Sequence, residues 1–208
     1  ALEGFYTLVG EWRAEKRGGR QGWLQEGSGS GEGLSCTFKN IMGKMAGDRY
    51  QRFLDSIQAY HYFPLAVLKE SHVTNATVEA ALTLEGGCID RTGGLVFGFR
   101  NFNHYFVFAL DALAGSAVVF EFVKGKRVGR TEAKREVESG RGYRLSVRVQ
   151  ASSAECSVDG EPVLTFEARK PLEGYVGLWT KADSRVYFEG LDVRETSAAA
   201  VTTRETAR

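Results

Sequence analysis

The feature that most constrains this chain is a two-residue periodicity that dominates from Val73 onward. Tyr143, Leu145, Val147 and Val149 alternate with Arg144, Ser146, Arg148 and Gln150. Successive side chains of an extended strand point to opposite faces, so this stretch is a strand with one dry face and one wet face. ATVEAALTLEGG reads the same way, with Val78, Ala80, Leu82 and Leu84 on one side and Thr77, Glu79, Ala81 and Thr83 on the other. Asp159-Gly160 sits between two short runs of this kind and predicts a hairpin, as does Lys124-Gly125-Lys126. In SRVYFEGLDVRE the apolar register changes phase: Val186 and Phe188 are followed by Leu191 and Val193, which predicts a bulge at Gly190. About a dozen strands, many apolar on one face, need two facing sheets to hide those faces. The expectation is an all-β chain: a two-sheet antiparallel β-sandwich of jelly-roll type, one domain over residues 1–195, with a flexible C-terminal tail over 196–208.

Other features exclude function classes. A formal net charge of +1 is too small to point to nucleic acid or an anionic membrane. No apolar run is long enough for a membrane-spanning helix. The cluster Lys124, Lys126, Arg127, Arg130, Lys134 and Arg135 is interrupted by Gly and Glu and reads as the solvated face of hairpins. Cys36, Cys88 and Cys156 are not at metal-ligand spacing; they fit either one disulfide with a spare thiol or three buried thiols. His61, His72 and His104 are scattered, and there is no G-x-S-x-G nucleophile motif. The first fifty residues are Gly-rich and weakly patterned, with Trp12 and Trp23 as anchors to the sandwich, and GDRYQRFLDSIQAY is either a short helix or a loop. The chain starts at Ala1 without Met, which is compatible with a leader removed before this numbering.

The segment GGLVFGFRNFNHYFVFALD, Gly93 to Asp111, carries the first candidate site. If Leu95, Phe97 and Phe99 face inward on one strand, and Phe106, Phe108 and Leu110 on the next, then Arg100 and Tyr105 share the wet face at the hairpin end. Asn103 and His104 then lie on the connecting turn. Planar polar groups match sugar hydroxyls, and an aromatic face stacks on sugar C–H patches. The competing reading is an ordinary turn whose Arg pairs with a carboxylate. Trp179 has the parity opposite to Val176 and Leu178, so it is either a stacking platform on a wet face or a Trp buried under a loop. Lys181, Asp183 and Ser184 follow directly, as ligand contacts or as an Asp-stabilised turn. A structural calcium ion at Asp183 would need more oxygen ligands than the local sequence offers, so no metal and no cofactor are expected.

FPLAVLKES, GGLVFGFRNFNHYFVFALDAL, KGKR, VDGEPVLTFEA and GYVGLWTKADSRVYFEGLDV occur in the order seen in a bacterial group of concanavalin A-like lectin/glucanase domains. The chain resembles that group, which is similar to laminin G-like domains and to the 3-keto-disaccharide hydrolase family, over roughly Tyr62 to Arg194. The resemblance implies a concanavalin A-like sandwich exported to the periplasm or the exterior. Relatives commonly carry Arg where this chain has Gly98 and Ala109, both expected on the wet face. The glucanases of this superfamily set their carboxylates on one strand as E-x-D-x-E or E-x-D-x-x-E, and no such run occurs here; Glu189 and Asp192 in EGLDVRE come nearest. The first hypothesis is therefore a non-catalytic carbohydrate-binding module using Arg100, Asn103, His104, Tyr105, Trp179, Lys181 and Asp183. The alternatives are a hydrolase acting on a modified (3-keto) disaccharide and a structural or adhesive module; whether the chain is an enzyme stays open.

Overall fold

The computed structural model describes residues 2–27, 63–88 and 90–196. Among these residues, fourteen strands form two seven-stranded sheets whose paired strands are all antiparallel. The first sheet runs β1 (Phe5–Val9), β4 (Leu65–Leu68), β13 (Tyr175–Thr180), β6 (Thr92–Asn101), β7 (His104–Asp111), β8 (Ser116–Val123) and β9 (Lys126–Lys134). The second runs β12 (Glu161–Glu167), β11 (Ser153–Val158), β10 (Gly142–Gln150), β5 (Ala76–Gly86), β14 (Arg185–Glu195), β3 (Arg20–Gln25) and β2 (Trp12–Arg17). This is the sandwich that the alternation predicts.

Register explains the main core. Leu145 lies opposite Ala80 and Val147 opposite Val78, so the dry faces of β10 and β5 merge into one surface. Leu95, Phe97, Phe108, Leu110, Val176 and Leu178 of the first sheet close over it. Lys124-Gly125 and Asp159-Gly160 both have two successive positive φ angles, the geometry that matches strand twist in a two-residue hairpin turn. The β14 register shifts between Glu189 and Asp192, around Gly190 at φ 64°, as the phase change in its sequence requires. Trp12 donates its Nε1–H to Val9 O at 2.8 Å and packs on Phe188, and Trp23 meets Phe5 edge-on at 5.1 Å.

Two expectations are corrected. The alternation along β6 does not carry through to Phe99. Pairing with both β7 and β13 shifts register around Gly98, which has φ 55°. The bulge flips the phase, so Phe99 joins the outer face beside Tyr105 and Arg100 takes the inner parity. The second correction concerns that outer face, which is not wet. Val96, Phe99, Tyr105, Val107, Ala109, Val118, Phe120, Phe122 and Trp179, with Phe63, Leu65 and Val67, form a second buried apolar cluster. The near-continuous apolar runs YFVFAL and AVVFEF are what a strand buried on both faces requires. Ala109, expected to project into solvent, is fully buried.

The sheet carrying β2, β3, β5 and β14 is salted with ion pairs. Arg13 and Arg185 both pair with Glu26, at 2.6 and 3.1 Å, and Arg185 and Arg17 both reach Glu85. Burial pushes the Glu85 carboxyl up, but the two guanidiniums outweigh it and hold the group below its ordinary range. Cys88 is disulfide-bonded, and Cys156 is a buried thiol pushed up to about 12 by desolvation. Cys36, His61, the possible helix GDRYQRFLDSIQAY and all of the expected tail beyond Thr196 lie outside the described residues. Among the described residues no helix is long and apolar enough to cross a membrane.

Candidate functional site

The bulge at Gly98 turns Arg100 toward the segment that follows β12. Its Nη2 donates to Pro171 O at 2.9 Å and to Glu173 Oε1 at 3.3 Å. On β7, His104 has the same parity as Phe106, Phe108 and Leu110, which puts it on the inner side with Arg100. On β8, Ala117 and Val119 belong to the main core, so Glu121 and Val123 continue that inner face toward the hairpin end. These side chains border a cleft of about 460 Å³.

Phe106 lines the apolar part of the cleft. It is half-buried, stacks on Phe97 at 5.6 Å and meets Phe166 of the opposite sheet at 5.5 Å. Val123 and Val128 extend that apolar surface, and Val128 is 58% exposed, unusual for a valine in a strand. The segment Arg169-Lys170-Pro171 lines the cleft as well. The arrangement therefore offers apolar side chains for stacking and, on the same cleft, guanidinium, imidazole, ammonium and carboxylate groups for hydrogen bonds. Glu121 is the one carboxylate among the residues lining it.

The structure gathers some of the sequence-predicted residues here and disperses the rest. Arg100, His104 and Tyr105 all line the cleft. Tyr105 does so with little exposed surface, because it is 3% exposed and stacks on Phe122 at 4.4 Å. Asn103 is an exposed turn residue outside the lining, its N–H donating to Asn101 Oδ1 at 2.8 Å. Trp179 has the expected parity but is fully buried, stacked on Phe63 at 5.4 Å within the outer apolar cluster, so it is no stacking platform for a ligand. It also pairs with Gly94, and from there β6 runs about 20 Å before reaching Arg100. Trp179 is not among the residues that line the cleft.

Lys181 and Asp183 belong to a polar plug at the other end of that strand. Lys181 contacts Asp90 at 2.5 Å, both buried. Asp183 accepts the backbone N–H groups of Cys88 at 2.8 Å and Asp90 at 3.0 Å. Ser184 Oγ accepts the N–H of Thr92 at 2.9 Å and donates to Lys181 O. These bonds satisfy polar groups that burial would otherwise make costly, which is a structural task. Burial pushes the Asp90 carboxyl above its ordinary range, against the pull of Lys181. Among the described residues there is no group of three or more His, Cys, Asp or Glu that could hold a metal ion.

Glu121, Val128, Arg169 and Lys170 were not singled out from sequence. Glu121 did leave a signal, a lone acid at the dry parity of AVVFEFV. Arg169 and Lys170 left none, because their place depends on how the segment after β12 crosses to the other sheet.

No protein-family model matches the sequence, and no curated protein matches it. Solved structures do. The carbohydrate-binding module CBM66 from Bacillus subtilis superposes with a TM-score of 0.67 at 15% identity, covering 92% of this chain and 96% of that one. The fold is a galectin-like and CBM66-like β-sandwich. A functionally unknown protein from Saccharomyces cerevisiae gives 0.55 at 12% identity over 91% of this chain and 97% of its own. A Bacillus subtilis protein of unknown function with a galectin-like fold gives 0.51 at 11% identity, covering 64% and 77%. At these identities the likeness is one of fold.

Proposed function

We propose that this protein is a carbohydrate-binding module and that its ligand occupies the cleft bordered by Arg100, His104, Phe106, Glu121 and Val128. The observation that carries the reading is the composition of that cleft. Apolar side chains meet directional polar groups in a volume of about 460 Å³, within the range of small-ligand sites. The CBM66 module supports the reading by sharing the fold over nearly the whole of both chains. The disulfide at Cys88 supports an oxidising compartment, and hence export to the periplasm or exterior. The hydrolase alternative draws less support, because hydrolysis of a glycosidic bond ordinarily uses two carboxylates and Glu121 stands alone among the lining residues.

A glycan array followed by titration calorimetry tests this, with Phe106→Leu and Arg100→Gln as site variants and product analysis of the same mixtures. Saccharide binding that both variants weaken, with no product formed, is the expected result. Binding that neither variant alters, or turnover of a keto-disaccharide, would overturn it.

A further inference from the structure

The charge around the cleft is one-sided. Arg100, Arg169 and Lys170 line it with His104, against the single carboxylate of Glu121. Arg100 shares its charge with Glu173 at 3.3 Å. Arg169 and Lys170 are exposed neighbours in sequence with no ion-pair partner within 4.0 Å among the described residues. Among the other described arginines, Arg13, Arg17, Arg20, Arg130, Arg135, Arg141, Arg148, Arg185 and Arg194 each meet a carboxylate, whereas Arg91 and Arg144 form no ion pair with a described residue. With a net charge of only +1, this is a local excess of cations and not a property of the whole molecule. Two unpaired cations beside a cleft gather counter-anions there, and a pocket wall of low dielectric strengthens that attraction over open surface.

We infer that the cleft selects an acidic saccharide, one bearing a carboxylate or sulfate group, with its anionic group toward Arg169 and Lys170 and its ring against Phe106 and Val128. This rests on the carbohydrate-binding reading and narrows it. Guanidinium forms paired hydrogen bonds with either kind of oxyanion, and ammonium supplies a point charge, so the two residues recognise the shared chemistry. Glu121 is then left to accept hydrogen bonds from ring hydroxyls, and it repels an anionic group placed at its own side of the cleft.

The test compares four probes on the full-length protein by titration at low and high salt: a galacturonate oligosaccharide, a sulfated galactan oligosaccharide, a neutral galactan oligosaccharide of the same length, and inorganic sulfate. The variant is Arg169→Ala with Lys170→Ala, two exposed positions whose loss leaves the core untouched. The inference expects an acidic oligosaccharide to bind about tenfold more tightly than the neutral one at low salt, with the preference shrinking at high salt. The double variant should lose about five- to tenfold of the acidic affinity and clearly less of the neutral affinity, so that the preference for the acidic probe collapses. Whichever acidic probe binds better separates the carboxylate source from the sulfate source. Equal binding of acidic and neutral probes, unaffected by the double variant, overturns this inference and leaves the carbohydrate reading standing. Binding of none of the oligosaccharides overturns both. Inorganic sulfate matching the acidic oligosaccharides in affinity makes the site one for a small anion and overturns the saccharide selection.

Discussion

Replacing Trp179 by Ala separates a core residue from a ligand platform. The indole is fully buried, stacked on Phe63 at 5.4 Å and flanked by Phe120 at 6.0 Å and Phe122 at 6.4 Å. Truncation leaves a cavity among rigid rings that cannot collapse into it, and such Trp or Phe truncations cost about 3–5 kcal/mol. For a chain of this size that is a fall of about 6–20 °C in melting temperature. Phe at the same position should cost far less. It refills most of the volume, and it removes an indole Nε1–H that has no hydrogen-bond partner among the described residues. Urea unfolding of the three proteins, followed by circular dichroism, gives the stabilities, and saccharide titration below the unfolding transition gives affinities. The expected pattern is a large stability loss for Ala, a small one for Phe, and affinity unchanged in both. An Ala variant of nearly wild-type stability that no longer binds saccharide would refute the placement of Trp179 in the core and restore it to the site.

Three further outcomes follow from buried or paired groups. Asp90→Asn takes a carboxylate away from a buried ammonium and should cost about 3 kcal/mol or more at neutral pH, most of it recovered when Lys181→Met is added, as read from unfolding midpoints. Glu85 has a folded-state pKa below its unfolded value, so the stability it contributes is present above the ordinary carboxylate range and is lost as pH falls through the folded value. Glu85→Gln should therefore flatten the acid limb of a melting-temperature profile below about pH 4.5 while leaving its slope near neutrality unchanged. Cys156, pushed up to about 12 and buried, should resist an aromatic disulfide reagent at pH 8 in the native protein and react fully once urea is added.

The sandwich was legible because alternation is a local property that burial of one face enforces at every step. Val78 to Leu84 and Tyr143 to Val149 declare their inward sides without reference to any neighbour. The same rule misled where a single residue broke the period. Gly98 carries no side chain to announce a phase change, so alternation alone puts Phe99 and Arg100 on the wrong faces. The parity of Trp179 was correct, but parity tells which side of a sheet a residue occupies and not what lies over that side. A second apolar layer was written in the unbroken runs of β7 and β8, whose outward residues Tyr105, Val107, Ala109, Val118, Phe120 and Phe122 are apolar throughout. The cleft was half legible. Arg100 and His104 came from the hairpin sequence, whereas Arg169 and Lys170 arrive through a long-range crossing of chain that no local pattern encodes.

Amide chemical-shift mapping with a bound oligosaccharide tests the central claim most directly. Saturating ligand should move the resonances of Arg100, His104, Phe106, Val123 and Val128 together, and leave Trp179, Lys181 and Asp183 at the other end of the sheet unmoved. Shifts concentrated around Trp179 and the turn at Asp183, with the residues of the cleft silent, would contradict the account.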